Sequence, residues 1–172
     1  LKQKEYLDWK YNLLKNKFKL TDIYYHDNGG YGSYEFRTKN YRFLKLYRKI
    51  FYGTGRKNTA KRKFLNKLTA QAIAIWYMDD GSLIQKRKDG KVHANELYIN
   101  TYVSKEENQV YIDYFKEVWD IQFSNALDKG KYRLRCGTKE ARKFVEIVRP
   151  YVSQVNCMVY KLNVRSSEKL IS

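Results

Sequence analysis

Acidic residues are scarce in this chain, cysteine and histidine are nearly absent, and proline occurs once. Against 35 Lys and Arg stand only 18 Asp and Glu, a net charge of +17. A solvated surface of mixed sign needs no such imbalance, so the shortage of acid argues for a polyanionic partner. The two cysteines, Cys136 and Cys157, and the two histidines, His26 and His93, show neither C-x-x-C nor H-x-x-x-H spacing. That excludes the usual zinc modules and leaves the cysteines as buried thiols of a reducing compartment. No apolar run reaches the length needed to span a bilayer, and no secretory signal is recognisable. A membrane partner is excluded on this reading. The expected location is intracellular, in a mitochondrion, a chloroplast or a bacterial or phage-infected cytoplasm, which the sequence does not distinguish.

What is abundant narrows the class further. Seventeen Tyr are interleaved with the Lys and Arg, adding flat, hydrogen-bonding side chains to a basic field, a combination that suits nucleic acid better than a membrane surface. With 172 residues, 43% of them hydrophobic, the chain can bury one good core, or two small pseudo-repeats sharing one. The wealth of Lys, Tyr, Asn and Ile suggests an A·T-rich genome.

One stretch is uncharged: Leu68-Thr69-Ala70-Gln71-Ala72-Ile73-Ala74-Ile75-Trp76-Tyr77-Met78, running directly into Asp79-Asp80-Gly81. It has helix formers all round and no polar face, so it predicts a buried helix rather than a surface one. Thr69 is placed to cap its start and Gly81 to stop it. The two acids then sit at the negative end of the helix dipole, where each costs roughly 0.3–1 kcal/mol. Something positive must offset that cost, and a divalent cation is the obvious group.

The remaining pattern predicts helices over 2–17 and 40–51, strands over 20–25 and 31–38 around the turn at 26–30, and a basic loop over 53–63. After the motif helix come strands over 82–87 and 96–103 around a hairpin at 88–91. Ser104, followed by Glu106 and Glu107, opens a helix to 119. Strands over 121–126 and 132–136 flank a turn at 128–130, and a last helix over 139–148 stops at Pro150, the only proline. Tyr34-Glu35-Phe36-Arg37 and Tyr132-Arg133-Leu134-Arg135 occupy matching places in this order, so helix–strand–turn–strand–helix appears twice. The motif helix and the hairpin after it appear once. Gly53–Thr59 has the flavour of a phosphate loop but lacks its spacing.

The block from Leu68 to Leu83 resembles the second signature helix of the LAGLIDADG homing endonucleases, in the branch reading roughly L-T-P-x-A-L-A-x-W-F-M-D-D-G-S. Ala70 stands where that pattern has proline. The resemblance implies an α+β fold of αββαββα pseudo-repeats, with a curved antiparallel sheet as DNA saddle. Residues 1–64 would be the remaining part of a first repeat and 65–172 the second, with the first signature helix and first hairpin absent; the counterpart of Asp80 would fall ahead of Leu1. A monomer of a two-repeat parent is the expected state rather than a homodimer, because the motif lies far from the N-terminus.

The resemblance also implies the chemistry: site-specific, metal-dependent hydrolysis of double-stranded DNA of the intron-homing type, with full activity needing a second signature helix. The acid before the motif glycine, Asp80, is the expected metal ligand. Asp79, about 100° round the helix, is a weaker metal candidate, with a supporting or capping role as its alternative. Oxygen ligands favour Mg²⁺. Lys61 or Lys63 from the first repeat and Lys161 from the second are candidates to approach the reacting phosphate. Relatives in this branch often have glutamine after the Asn-Thr of the second strand; here Tyr102 follows Asn100-Thr101. Strand alternation assigns one sheet face to Tyr34, Phe36, Leu97, Ile99, Tyr132, Leu134 and Cys136. The other would carry Glu35, Arg37, Gln85, Arg87, Tyr98, Asn100, Arg133 and Arg135, where Arg reads guanine and Asn or Gln reads adenine. Lys57 and Lys88 would meet phosphate. Two other functions use the same basic surface: an RNA-binding maturase acting on intron RNA, and a DNA-binding protein that does not cleave.

Overall fold

In the computed structural model the described residues are 4–27, 29–30, 32–53, 55 and 59–164. They divide into two compact units, one drawn from residues 4–59 with 155–157 and the other from residues 60–154 with 158–164. Asn28 of the expected turn and Lys57 of the basic loop lie outside the described residues.

The first unit holds helix α1 (Lys4–Leu14), strands β1 (Tyr24–Asp27) and β2 (Gly32–Glu35), and helix α2 (Arg42–Tyr52). The two strands pair antiparallel, Tyr24 opposite Glu35 and His26 opposite Ser33. Aromatic contacts join the pieces: Tyr11 meets Phe36 edge-on at 5.4 Å, and Tyr25 meets Tyr34 at 5.3 Å. The Glu5 carboxylate accepts the backbone N–H groups of Asn156 and Cys157 at 2.7 and 3.1 Å. The strands are shorter than the alternation predicts, with Leu20 and Thr38 meeting only as an isolated bridge.

The second unit contains α3 (Arg62–Leu65), α4 (Ala70–Asp80), β3 (Gly81–Lys88), β4 (Lys91–Val103), α5 (Lys105–Trp119), β5 (Ser124–Asp128), β6 (Lys131–Gly137), α6 (Thr138–Val152) and, from Met158 on, the 3-10 helix Asn156–Leu162. Its four strands form an antiparallel sheet in the order β3-β4-β6-β5. The core is built by Leu97, Ile99, Leu134 and Cys136 from the sheet, with Tyr77, Tyr114, Phe115, Phe144, Val145 and Val148 from the helices, all buried. Ser104 caps α5 with a complete capping box: its side chain accepts from Glu107 N–H and the Glu107 carboxylate accepts from Ser104 N–H. Buried Asn108 ties α5 inward, its amide donating to Asn125 Oδ1 at 2.7 Å while its Oδ1 lies 2.6 Å from Thr101 Oγ1.

One expectation fails for a physical reason. Pro150 does not stop α6, which continues to Val152. Val148 and Val152 lie one turn apart and are both buried, and that burial outweighs one missing N–H so close to the helix end. Ser153 Oγ and Gln154 Nε2 donate to the terminal carbonyls of Arg149 and Pro150. The motif helix buries one face. Ile73, Ala74, Tyr77 and Met78 are buried on one face, while Ala72, Ile75 and Trp76 are only partly covered and Asp79 and Asp80 are exposed.

Candidate active site and nucleic-acid interface

Thr69 caps α4 as expected, its hydroxyl accepting from Ala72 N–H. At the other end Gly81 stops the helix, as expected. Gly81 is not left-handed; its φ of −92° and ψ of 157° are those of extended backbone. Glycine is needed there for room, because a β-carbon would lie 2.0 Å from Tyr77 Cδ2 and 2.6 Å from the Tyr77 carbonyl oxygen. The helix therefore passes into the sheet with no loop between: α4 ends at Asp80 and β3 begins at Gly81.

The positive group at this helix end is a side chain. The Lys161 ammonium donates to the carbonyls of Tyr77 at 3.1 Å, Met78 at 2.6 Å and Gly81 at 2.8 Å. An ammonium has three N–H bonds, and all three are used. The Tyr77 hydroxyl returns a bond to the Lys161 carbonyl at 2.9 Å. Burial pulls the Lys161 ammonium below the ordinary lysine range, while Asp79 and then Asp80 beside it pull the other way. Burial also pushes the Tyr77 hydroxyl above the usual phenol range and the Cys136 thiol up to about 12, so neither ionises at neutral pH.

Lys61 and Lys63 lie at α3, Lys61 as its N-cap residue and Lys63 within it. Helix α3 packs on α5, with Arg62 donating to Glu117 at 2.7 Å and lying 5.7 Å from the Tyr114 ring centre. Tyr102 sits where the pairing of β4 with β6 breaks register between Ile99 and Val103. Its φ is +52° and its ring is 47% exposed.

Pair register decides which side chains share the open face of the larger sheet, because directly opposed residues point the same way. Tyr98 opposes Arg135 and Ser82, and Glu96 opposes Ile84. The open face therefore carries Ser82, Ile84, Lys86, Glu96, Tyr98, Asn100, Arg133 and Arg135, while Leu97, Ile99 and Leu134 face the core. Two assignments are corrected here. Gln85 opposes Asn95, which is buried, and donates to the Asn163 carbonyl on the helix side at 3.2 Å. Arg87 follows a register shift after Lys86 and bonds Gln85 Oε1 at 3.0 Å and the Gly90 carbonyl. Ile84, apolar but 42% exposed, disguises the parity of β3.

Glu96, which the alternation overlooked, is the centre of this face. Its Oε1 accepts from Arg135 Nη2 at 2.5 Å, and its Oε2 accepts from Tyr98 at 2.7 Å and pairs with Lys86 Nζ at 3.2 Å. The Arg135 guanidinium first, then the Tyr98 hydroxyl, hold the carboxyl down at about 2. Arg133 pairs with Asp128 at 3.5 Å and lies 4.2 Å from the Tyr98 ring centre. Asn100 Oδ1 and Arg133 Nε are buried without partners. In the first unit, Glu35 accepts from the Tyr24 hydroxyl and from Arg37 Nη2, and Arg37 lies 5.9 Å from the Tyr24 ring centre.

The chain has relatives among known proteins. Residues 1–144 match the LAGLIDADG DNA endonuclease family. The chain belongs to that family. It is 31% identical over 169 residues to a RecA protein of Mycolicibacterium chitae, covering 94% of this chain and 38% of that protein. It is 27% identical over 140 residues to a probable intron-encoded DNA endonuclease 3 of Mycosarcoma maydis, covering 78% of this chain and 96% of that one. The chain thus spans well under half the length of the RecA relatives it matches. The fold is similar to that of the homing endonuclease I-WcaI bound to its DNA recognition sequence, with a TM-score of 0.73, 21% identity, and coverage of 95% of this chain and 73% of that one. The architecture is the α+β arrangement with antiparallel sheet that the motif implies. Among the described residues no helix is long and apolar enough to cross a membrane.

A divalent cation at this helix end would take only part of its ligand set from the helix. Asp79 and Asp80 are exposed carboxylates of the kind hard divalent cations take. Gly81 O is already held by Lys161, and no group of three candidate ligands occurs among the described residues. The donors fit such an ion in kind; phosphate oxygens, water and further carboxylates would complete it.

Proposed function

We propose that this chain recognises double-stranded DNA at a defined sequence and takes part in hydrolysing it, as an endonuclease of the intron-homing type. The observation that carries this is the loop-free junction Asp80–Gly81, which fixes an exposed acid rigidly to the edge of a polar sheet face. Asp80 would hold a divalent cation, Mg²⁺ by its oxygen donors, with Asp79 beside it. Such an ion supplies charge neutralisation on the phosphate and an activated water. Lys161 does not act on substrate in this reading. It holds the helix end on which Asp80 is carried. The open sheet face contacts base edges through Arg135, Arg133 and Asn100, and the excess of basic groups elsewhere meets phosphate.

The test is incubation of the protein with a randomised duplex library and Mg²⁺, followed by sequencing of bound molecules and of new ends. Sequence-selective binding with new ends that disappear in Asp80→Asn supports the reading. Loss of a ligand should cost more than the roughly 10–100-fold typical of an outer partner. Selective binding without new ends leaves a DNA-binding protein that does not cleave, and binding confined to structured RNA favours the maturase alternative.

A further inference from the structure

The cations on the open sheet face are already paired. In a chain of net charge +17, Arg135 and Lys86 share the Glu96 carboxylate and Arg133 is paired with Asp128. A surface evolved only to grip phosphate gains nothing from such carboxylates, since each cancels a contact that any DNA would reward. Glu96 is also only 15% exposed and bonded through both oxygens, so it is not free to be a base contact in its own right. The same residue types meet again in the first unit, where Tyr24 and Arg37 hold Glu35. The arrangement therefore occurs in both units.

We propose that Glu96 is a positioning residue that sets base selectivity, holding Arg135 by one edge of its guanidinium so that its remaining N–H groups face guanine in the major groove. This rests on the DNA-binding reading above. Arginine is suited to the role because its fork is planar and matches guanine O6 and N7 with two parallel bonds. With Glu96 in place, the gain from a stray phosphate is small, because the phosphate competes with a carboxylate already at bonding distance. A correctly placed guanine uses donors that the carboxylate leaves open. Wrong bases are thus disfavoured by withholding non-specific attraction, and specificity is obtained at some expense of affinity.

The experiment compares wild type with Glu96→Gln. Bound sequences are recovered from a randomised duplex library, and affinity for one arbitrary duplex is followed by fluorescence anisotropy across a salt series. In Glu96→Gln the preference for guanine at one position should fall by about tenfold, within the range a bidentate contact supplies. Binding to the arbitrary duplex should tighten, and its log–log salt slope should steepen by about 0.9, one additional phosphate contact. Identical base preferences in the two proteins, or an arbitrary-duplex affinity that does not rise, would overturn the proposal. Should Glu96→Gln not fold, Arg135→Lys keeps the charge and loses the fork. It must then lose the same guanine preference with unchanged salt slope, and retention of that preference overturns the proposal equally. Failure of wild type to bind any duplex is a different outcome, which removes the DNA-binding reading itself.

Discussion

Lys161 and Tyr77 hold each other by reciprocal bonds: the ammonium donates to the Tyr77 carbonyl at 3.1 Å and the Tyr77 hydroxyl donates to the Lys161 carbonyl at 2.9 Å. The pair binds the C-terminal end of the motif helix to the segment that follows α6. Because Met78 and Gly81 carbonyls share the same ammonium, the orientation of Asp79 and Asp80 depends on it. Lys161→Met should cost about 2–4 kcal/mol, the range for removing charge-assisted bonds and leaving buried acceptors unmet. Tyr77→Phe should cost about 1 kcal/mol. Urea denaturation of both single variants and the double should show coupling of at least about 0.5 kcal/mol, since the two share one network. Strict additivity would mean that the clasp does not operate as a unit.

Gly81→Ala should be poorly tolerated although its backbone angles suit any residue. The new β-carbon meets the Tyr77 ring and carbonyl below 3 Å, so helix or strand must shift, at about 1–3 kcal/mol. A thermal melt decides this. A variant as stable as wild type would show that the junction has slack.

Asp80→Asn should separate stability from catalysis. Removing a negative charge from the C-terminal end of α4 relieves an unfavourable dipole interaction, so the fold should gain roughly 0.3–1 kcal/mol. DNA cleavage should be lost while duplex binding persists. A destabilised Asp80→Asn would show that the carboxylate holds the fold together.

The pH dependence of stability should carry the mark of Glu96. Its carboxyl is held at about 2 in the folded protein, against an ordinary value of 4.5. The unfolded state therefore binds the proton more readily, and the stabilisation present above pH 4.5 is lost as pH falls toward 2. Denaturation midpoints followed from about pH 5 down to about pH 2.5 should fall more steeply in wild type than in Glu96→Gln. Parallel curves would show that the Arg135 and Tyr98 bonds do not persist in solution.

The features legible in the chain alone are local. The uncharged run from Leu68 to Met78 and its cap Thr69, the Ser104 capping box and the Asp89-Gly90 turn are each fixed by propensities and short-range bonds, so they could be read without a fold. The acids at the end of the motif helix, and their need for a positive neighbour, followed from the dipole alone. The identity of that neighbour did not. Lys161 lies far along the chain from Tyr77, and only the packing of the 3-10 helix against α4 places it at three particular carbonyls. The sheet face was likewise undecided, because parity on β3 depends on which of Leu83 and Ile84 turns inward. That is set by pairing with β4, where Leu97 opposes Leu83. Glu96 reads as one more solvated acid until β3 and β6 bring Lys86 and Arg135 to it from opposite sides. Pro150 looks like a stop until burial of Val152 outweighs one missing bond. In each case the deciding energy comes from residues distant in the chain, which tertiary structure alone brings within reach.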